Sequence, residues 1–199
     1  MQRLEPRTGV RQEKLQIQEK IDRILGENRH LLQSLREDAV VNFIQRIDKA
    51  HAIFFSAQGR SGFVLRCFCM RLMHLGYRVY FCGETITPAI GKGDLLMVLS
   101  GSGETPSTFE AVQIAKRRSA MTFGILGNMN GRIAALVDHS ICLPGTTKLC
   151  RDCEPGSLQL AGSLFEQAAF IFLEAVVVVI CQQRVEAIGD VSQLHAVIE

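Results

Sequence analysis

The stretch 94-DLLMVLSGSGETPSTFEA-111 runs from near-continuous apolar residues into Ser, Gly, Ser and Gly, then a Thr-Pro pair, then a segment of helical character. The apolar run reads as a strand covered on both faces. Thr105 suits a helix N-cap and Pro106 the first helical position, so the spacing predicts a helix over 106–118. Unpaired N–H groups in the first turn of that helix, with the positive end of its dipole, favour an anion. The glycines let the backbone approach closely, and Ser100, Ser102 and Thr105 offer hydroxyl donors. A phosphate monoester fits such a loop. Neither G-x-x-x-x-G-K-[ST] nor G-x-G-x-x-G is matched, so the two common nucleotide fingerprints are absent from it. A tight turn before a capped helix uses the same residues and stands as the plain alternative.

Outward from this stretch, similar short apolar runs recur at 52-AIFFSA-57, 78-RVYFCG-83, 121-MTFGILG-127 and 138-DHSICLP-144. Between them, 61–75 carries apolar residues at helical spacing. Strand–helix–strand repetition predicts an α/β protein with a parallel sheet and right-handed crossovers. Two helices precede the first strand. One carries Ile17, Ile21, Ile24, Leu31 and Leu35 with a gap at Asn28, and the other Val40, Ile44 and Ile47. The last third reads as one long helix from about Gln159 to Ile188, apolar nearly all round at its centre, followed by a tail containing His195. Such a helix needs covering by more than its own sheet, a hint of oligomerisation. Ligands of open parallel sheets sit beyond the carboxyl ends of the strands. The segment 57-AQGRSGF-63, after the first strand, is a second loop suited to an anion.

The chain has 199 residues, 47% of them hydrophobic, and a formal net charge of +2. That is one globular domain with a substantial core, 15–199, behind a loose extension over 1–14. No dense Lys/Arg block points to nucleic acid. No apolar signal core opens the sequence. The longest apolar segment, 168-AAFIFLEAVVVVIC-181, is read as too short for a bilayer and interrupted by Glu174, so a buried helix fits better. Seven cysteines at irregular spacing suit a reducing cytoplasm.

The segments 59-GRSGFVLRCFCMRLMHLG-76, 83-GETITPAIGKGDLLMVLSGSGET-105 and 162-GSLFEQAAFIFLEAVV-177 resemble the 6-phospho-3-hexuloisomerase family of the sugar isomerase (SIS) domain superfamily. The Ser-Gly-Ser-Gly-Glu-Thr loop alone marks the superfamily. GRSG, MRLMHLG and GETITP together are more specific. The resemblance implies a three-layer, flavodoxin-like fold with a five-stranded parallel sheet flanked by helices, and a homotetramer. It also implies interconversion of D-arabino-hex-3-ulose 6-phosphate and D-fructose 6-phosphate in the ribulose monophosphate route of formaldehyde assimilation. No metal or organic cofactor, membrane or nucleic acid is expected.

Moving a carbonyl from C3 to C2 requires removing the C2 proton, passing through an enediol and returning a proton to C3. One carboxylate on the correct face can do both transfers. By resemblance, Glu166 matches the glutamate proposed as that base. Its setting between Phe165 and an apolar helix agrees, although a first-turn glutamate that only stabilises its helix would look the same. His195 matches a C-terminal-region histidine that related isomerases use for ring opening or proton relay, often in a neighbouring subunit's site. Ser100, Ser102 and Thr105, with Gly59 and Ser61 of the first loop, are carried over for the phosphate. Arg60 can neutralise the phosphate, bind a sugar hydroxyl or pair with a carboxylate across a subunit boundary. Glu84 is a weaker candidate for a sugar contact.

Three positions depart from the family pattern. Ala57-Gln58 replaces Gly-Ala before GRSG. Leu160-Ala161 replaces Pro-Met before Gly162. Cys150 and Cys153 form a C-x-x-C pair, a weak metal signal without a second pair or nearby histidine. A non-catalytic SIS module that senses a sugar phosphate, or an isomerase of another sugar phosphate, are the competing functions.

Overall fold

The computed structural model describes residues 16–144 and 157–188, with side chains to 183. His195, Cys150 and Cys153 lie outside the described residues. Five strands form one parallel sheet: β1 (Ile53–Ser56), β2 (Val79–Phe81), β3 (Leu95–Ser100), β4 (Met121–Leu126) and β5 (His139–Cys142), in the order β2-β1-β3-β4-β5. All five lie where the apolar runs predict them. The register pairs Ser56 with Val98 and Ser100 with Leu126, so β1, β3 and β4 deliver their carboxyl ends side by side.

The twofold alternation of strand side chains splits the core in two. Phe55, Leu95, Met97, Leu99, Phe123 and Ile125 face one way. There they meet α2 (Glu37–Lys49), α3 (Gly59–His74) and α5 (Ser163–Ile188), while α1 (Ile17–Leu32) lies along α5. Phe43 of α2 sits 4.8 Å from the Phe123 ring and 5.7 Å from that of Phe172, tying helix, sheet and last helix together. Phe54, Leu96, Val98 and Leu126 face the other way, onto α4 (Pro106–Arg117) and Ile133.

The structure departs from strict strand–helix alternation in two places. The β2–β3 and β4–β5 connections contain turns and no helix. On the α4 side, Ile133, Leu136 and Val137 of the second connection cover the sheet in place of a helix.

α3 begins at Gly59, two residues before the predicted 61, because Gly59 takes φ +58° and turns the chain directly from strand to helix. What reads in sequence as a loop is therefore largely a helical first turn. α5 begins at Ser163 and not at Gln159. Gly162 at φ +93° ends a turn in which Ser163 N–H donates to the Leu160 carbonyl at 2.9 Å.

α5 also corrects the sequence argument on length. By length and composition alone, Ser163–Gln183 is long and apolar enough to cross a bilayer, with a mean hydropathy of 2.2. Its placement supports the buried reading. Phe165, Ala168, Ala169, Phe172, Leu173, Val176 and Ile180 are all core residues. Glu174, the charge in mid-segment, faces Arg71 of α3 at 4.0 Å.

Candidate functional site

In a sheet of order 2-1-3-4-5, the chain reverses its direction of progress between β1 and β3, and a crevice opens beyond their carboxyl ends. The two loops singled out in the sequence flank that crevice. Gly59, Arg60 and Ser61 form the first turn of α3. Residues 100–105 link β3 to α4.

The 100–105 loop is held by its own hydroxyls. Gly103 N–H donates to Ser100 Oγ at 3.2 Å, and Glu104 N–H donates to Ser102 Oγ at 3.2 Å. Thr105 occupies the N-cap position of α4, but its side chain makes no cap hydrogen bond; its Oγ1 lies 3.1 Å from Ser100 Oγ instead. The first turn of α4 is thus left without a side-chain cap. A hydroxyl that accepts an N–H still has its own proton to donate. Ser100 is buried at 2% exposure and acts inside the loop, whereas Ser102 and Thr105 are half-exposed.

A second turn backs the loop so closely that side chains are excluded. A Cβ on Gly103, which has φ +67°, would come within 2.8 Å of the Asn128 carbonyl. Asn128 Nδ2 donates to the Ser102 carbonyl at 3.2 Å. The Glu104 carboxylate accepts the Arg132 backbone N–H at 2.8 Å, and Arg132 Nη2 donates to the Glu104 carbonyl at 2.8 Å. The guanidinium of Arg132 also lies 4.4 Å over the Phe109 ring of α4.

The start of α5 closes the crevice. Phe165 packs on Gly101, where an added Cβ would meet its ring at 3.1 Å. Glu166, the next residue, has a side chain 14% exposed and receives a hydrogen bond from Arg60 Nε. The structure therefore brings Arg60 and Glu166 of one chain together, and Phe165, the residue before Glu166, touches the Ser/Gly loop at Gly101. Glu84 is turned elsewhere. It receives Arg66 Nη1 at 2.6 Å, and the Arg66 guanidinium lies 3.9 Å over Phe81.

Arg60 and Glu166 also border a cavity of about 530 Å³ between α1, α3 and α5. Apolar residues such as Ile24, Phe63 and Phe170 dominate its lining, with Asn28 and Gln167 as its other polar members. Sequence reasoning missed this pair, although the gap at Asn28 in the apolar row of α1 was its visible trace. Asn28 is 2% exposed, and its Nδ2 donates to Gln167 Oε1 at 2.8 Å. Beside it, Glu27 accepts Ser157 Oγ at 2.8 Å and Gln159 Nε2 at 2.9 Å. Burial pushes the Glu27 carboxyl up, but the bonds from Gln159, Ser157 and Leu158 and the nearby Arg23 charge outweigh it and hold the group below its ordinary value.

Among the described residues, no group of three or more His, Cys, Asp or Glu side chains is placed to hold a metal ion. Cys69 of α3 is free, and burial pushes its thiol up to about 11.

A hydroxyl- and glycine-rich loop at the switch point of a parallel sheet, with a shielded carboxylate on the neighbouring helix, is the arrangement expected of an α/β protein that acts on a small phosphorylated compound. Residues 46–149 match the SIS domain family, just over half of the chain. The chain is 40% identical to a 3-hexulose-6-phosphate isomerase of Mycobacterium gastri over 70% of its own length and 69% of the relative's. It is 31% identical to that of Bacillus subtilis over 83% and 90% of the two chains. A solved protein of Methanococcus jannaschii, whose structure inferred a 3-hexulose-6-phosphate isomerase function, is 33% identical. It superposes with a TM-score of 0.77 over 91% of this chain and 99% of that one. The chain belongs to the SIS domain family, in the branch of the 3-hexulose-6-phosphate isomerases.

Proposed function

We propose that the chain is a ketose-phosphate isomerase that interconverts D-arabino-hex-3-ulose 6-phosphate and D-fructose 6-phosphate through an enediol. The observation that carries the reading is the pairing of Arg60 with Glu166, on the helical turn whose Phe165 packs on the Ser/Gly loop at Gly101. Its agreement with the names of relatives that match most of the chain supports the substrate.

In this scheme the 6-phosphate accepts hydrogen bonds from the hydroxyls of Ser102 and Thr105 and from the free N–H groups in the uncapped first turn of α4. Ser61 approaches from the first turn of α3, where Gly59 leaves the space around its Cα open. Ser100 keeps the cradle in shape. The carbon skeleton then lies towards Glu166. The carboxylate takes the C2 proton, the electron pair forms the C2–C3 double bond, and the former carbonyl oxygen at C3 gathers negative charge. Arg60 donates an N–H to that oxygen as charge develops, which favours the enediolate over the ketose. Glu166 then returns the proton to C3 while the O2 proton is lost and the carbonyl re-forms at C2. His195 is the second proton carrier, between the two oxygens. Carbonyl and protons move within one molecule, so the route needs no redox cofactor.

The protein works as a homotetramer in the cytoplasm, in the formaldehyde-assimilating ribulose monophosphate route. Support for assembly comes from Phe63 and Met70 of α3 and Phe170 and Ile171 of α5, which point their apolar surface outwards at 71%, 48%, 42% and 40% exposure.

The test is a coupled assay. A synthase makes the 3-hexulose phosphate from formaldehyde and ribulose 5-phosphate, and this protein is then added. Appearance of fructose 6-phosphate is expected. Tight binding of the sugar phosphate without turnover would replace the enzyme by a sensor.

A further inference from the structure

We infer that Asn28 is a positioning residue for the isomerisation, acting through Gln167 on the neighbouring Glu166. The inference rests on the assignment of Glu166 as the base. Asn28 occupies the buried side of α1, in a row otherwise filled by Ile24 and Leu31, and is itself 2% exposed. Both protons of its amide are used. One goes to the Ile24 carbonyl at 2.9 Å and the other to Gln167 Oε1 at 2.8 Å. The Ile24 carbonyl can only accept, so the amide cannot turn round. Its Oδ1 is therefore left buried with no hydrogen-bond partner.

A buried acceptor without a donor lowers stability, and an apolar residue of similar size would remove that defect. The fold has no evident need for the asparagine. Glu27, the preceding residue, already clasps the turn before α5 through Ser157 and Gln159. What Asn28 adds is a fixed direction for the side chain of Gln167 and a fixed height of α1 over the first turn of α5. That turn carries Glu166, whose carboxylate is held on its other side by Arg60 of α3. The base thus sits between two polar ties, one direct and one through its neighbour, at the edge of an apolar cavity that offers no other polar grip. Proton abstraction tolerates little misplacement, and a shift of about 1 Å can cost about 100-fold in rate.

The experiment compares wild type with Asn28→Leu, Gln167→Leu and the exchange Asn28→Gln with Gln167→Asn, which keeps the summed length of the two amides. Each is assayed for kcat and KM in the coupled isomerase reaction and for Tm. For Asn28→Leu the expected result is a Tm equal to wild type or higher, an unchanged KM and a kcat lowered about 10- to 100-fold. The exchange should recover most of the kcat. If Asn28→Leu melts more than about 3 °C below wild type, Gln167→Leu, altered on its half-exposed side, carries the comparison. Unchanged kcat in either folded variant overturns the inference. So does a joint fall of Tm and kcat in both variants, which would make the bond a structural tie only. A wild type that binds fructose 6-phosphate but does not isomerise it overturns the functional reading itself, and this inference with it.

Discussion

Gly103 and Gly59 both take left-handed backbone angles, at φ +67° and +58°, but they differ in what surrounds them. An alanine at either position carries the left-handed penalty of about 1–2 kcal/mol. At Gly59 the added methyl meets nothing within 4 Å. At Gly103 it meets the Asn128 carbonyl at 2.8 Å and Gly131 Cα at 3.3 Å, both backbone atoms that no rotamer change can clear. Overpacking of that kind adds about 1–3 kcal/mol. Gly103→Ala should therefore lose about 2–5 kcal/mol and Gly59→Ala about 1–2 kcal/mol. In a chain of this size the corresponding falls in Tm are about 4–20 °C and about 2–8 °C. Urea titration of the three proteins, with m-values compared, measures the difference. Gly103→Ala should also raise KM for fructose 6-phosphate, because separating the loop from the 127–131 turn opens the anion cradle. Equal destabilisation by the two substitutions would refute the argument that backbone contact, and not backbone angle alone, fixes this loop.

Glu166→Gln should keep fructose 6-phosphate binding in a calorimetric titration while kcat falls about 10²–10⁴-fold; unchanged turnover would remove Glu166 from the chemistry. Ser100→Ala and Ser102→Ala should separate. The first leaves the buried Gly103 N–H without its acceptor and lowers stability by about 1–3 kcal/mol, whereas the second mainly raises KM; thermal melts and Michaelis plots distinguish them. Asp138 accepts Thr122 N–H at 2.9 Å and Thr122 Oγ1 at 2.7 Å. Burial pushes its carboxyl up, but these bonds and Lys116 outweigh it, so the group titrates below its ordinary 3.8. A depressed carboxyl contributes stability that is present above the unfolded value and lost as pH falls through the folded one. Urea midpoints should therefore hold from neutrality to about pH 5 and drop below about pH 4, and Asp138→Asn should flatten that drop; an equally steep acid limb in the variant would count against the assignment.

The sheet was legible because its central strands β1, β3 and β4 are buried on both faces, and a continuous apolar run such as 95-LLMVL-99 satisfies that. The helix at Pro106 was legible from one residue whose missing N–H fits the first turn. The Ser/Gly loop was legible for a chemical reason, since hydroxyls and glycines at a strand end have few other uses. What failed to show was long-range. In 159-QLAG-162 only Gly162, which turns left-handed, marks that the helix waits for Ser163; the other part of the delay is a clasp by Glu27, more than 130 residues away. The role of Glu166 rests on family resemblance, since a first-turn glutamate that only stabilises its helix would read the same, and Glu174 lies in the same apolar helix. The structure distinguishes them by company: Arg60 at the crevice for one, Arg71 along the helix flank for the other.

Glu166 rides on the first turn of a helix whose inward face, from Phe165 to Ile180, fills the centre of the molecule. No hinge separates the proposed base from the fold's main support, because both lie on α5. Heat should therefore inactivate and melt the protein together, with no intermediate range in which a folded body has lost its working geometry. The same coupling restricts evolutionary change: a swap at Phe172, buried further along the same helix, is expected to move the proposed base as well.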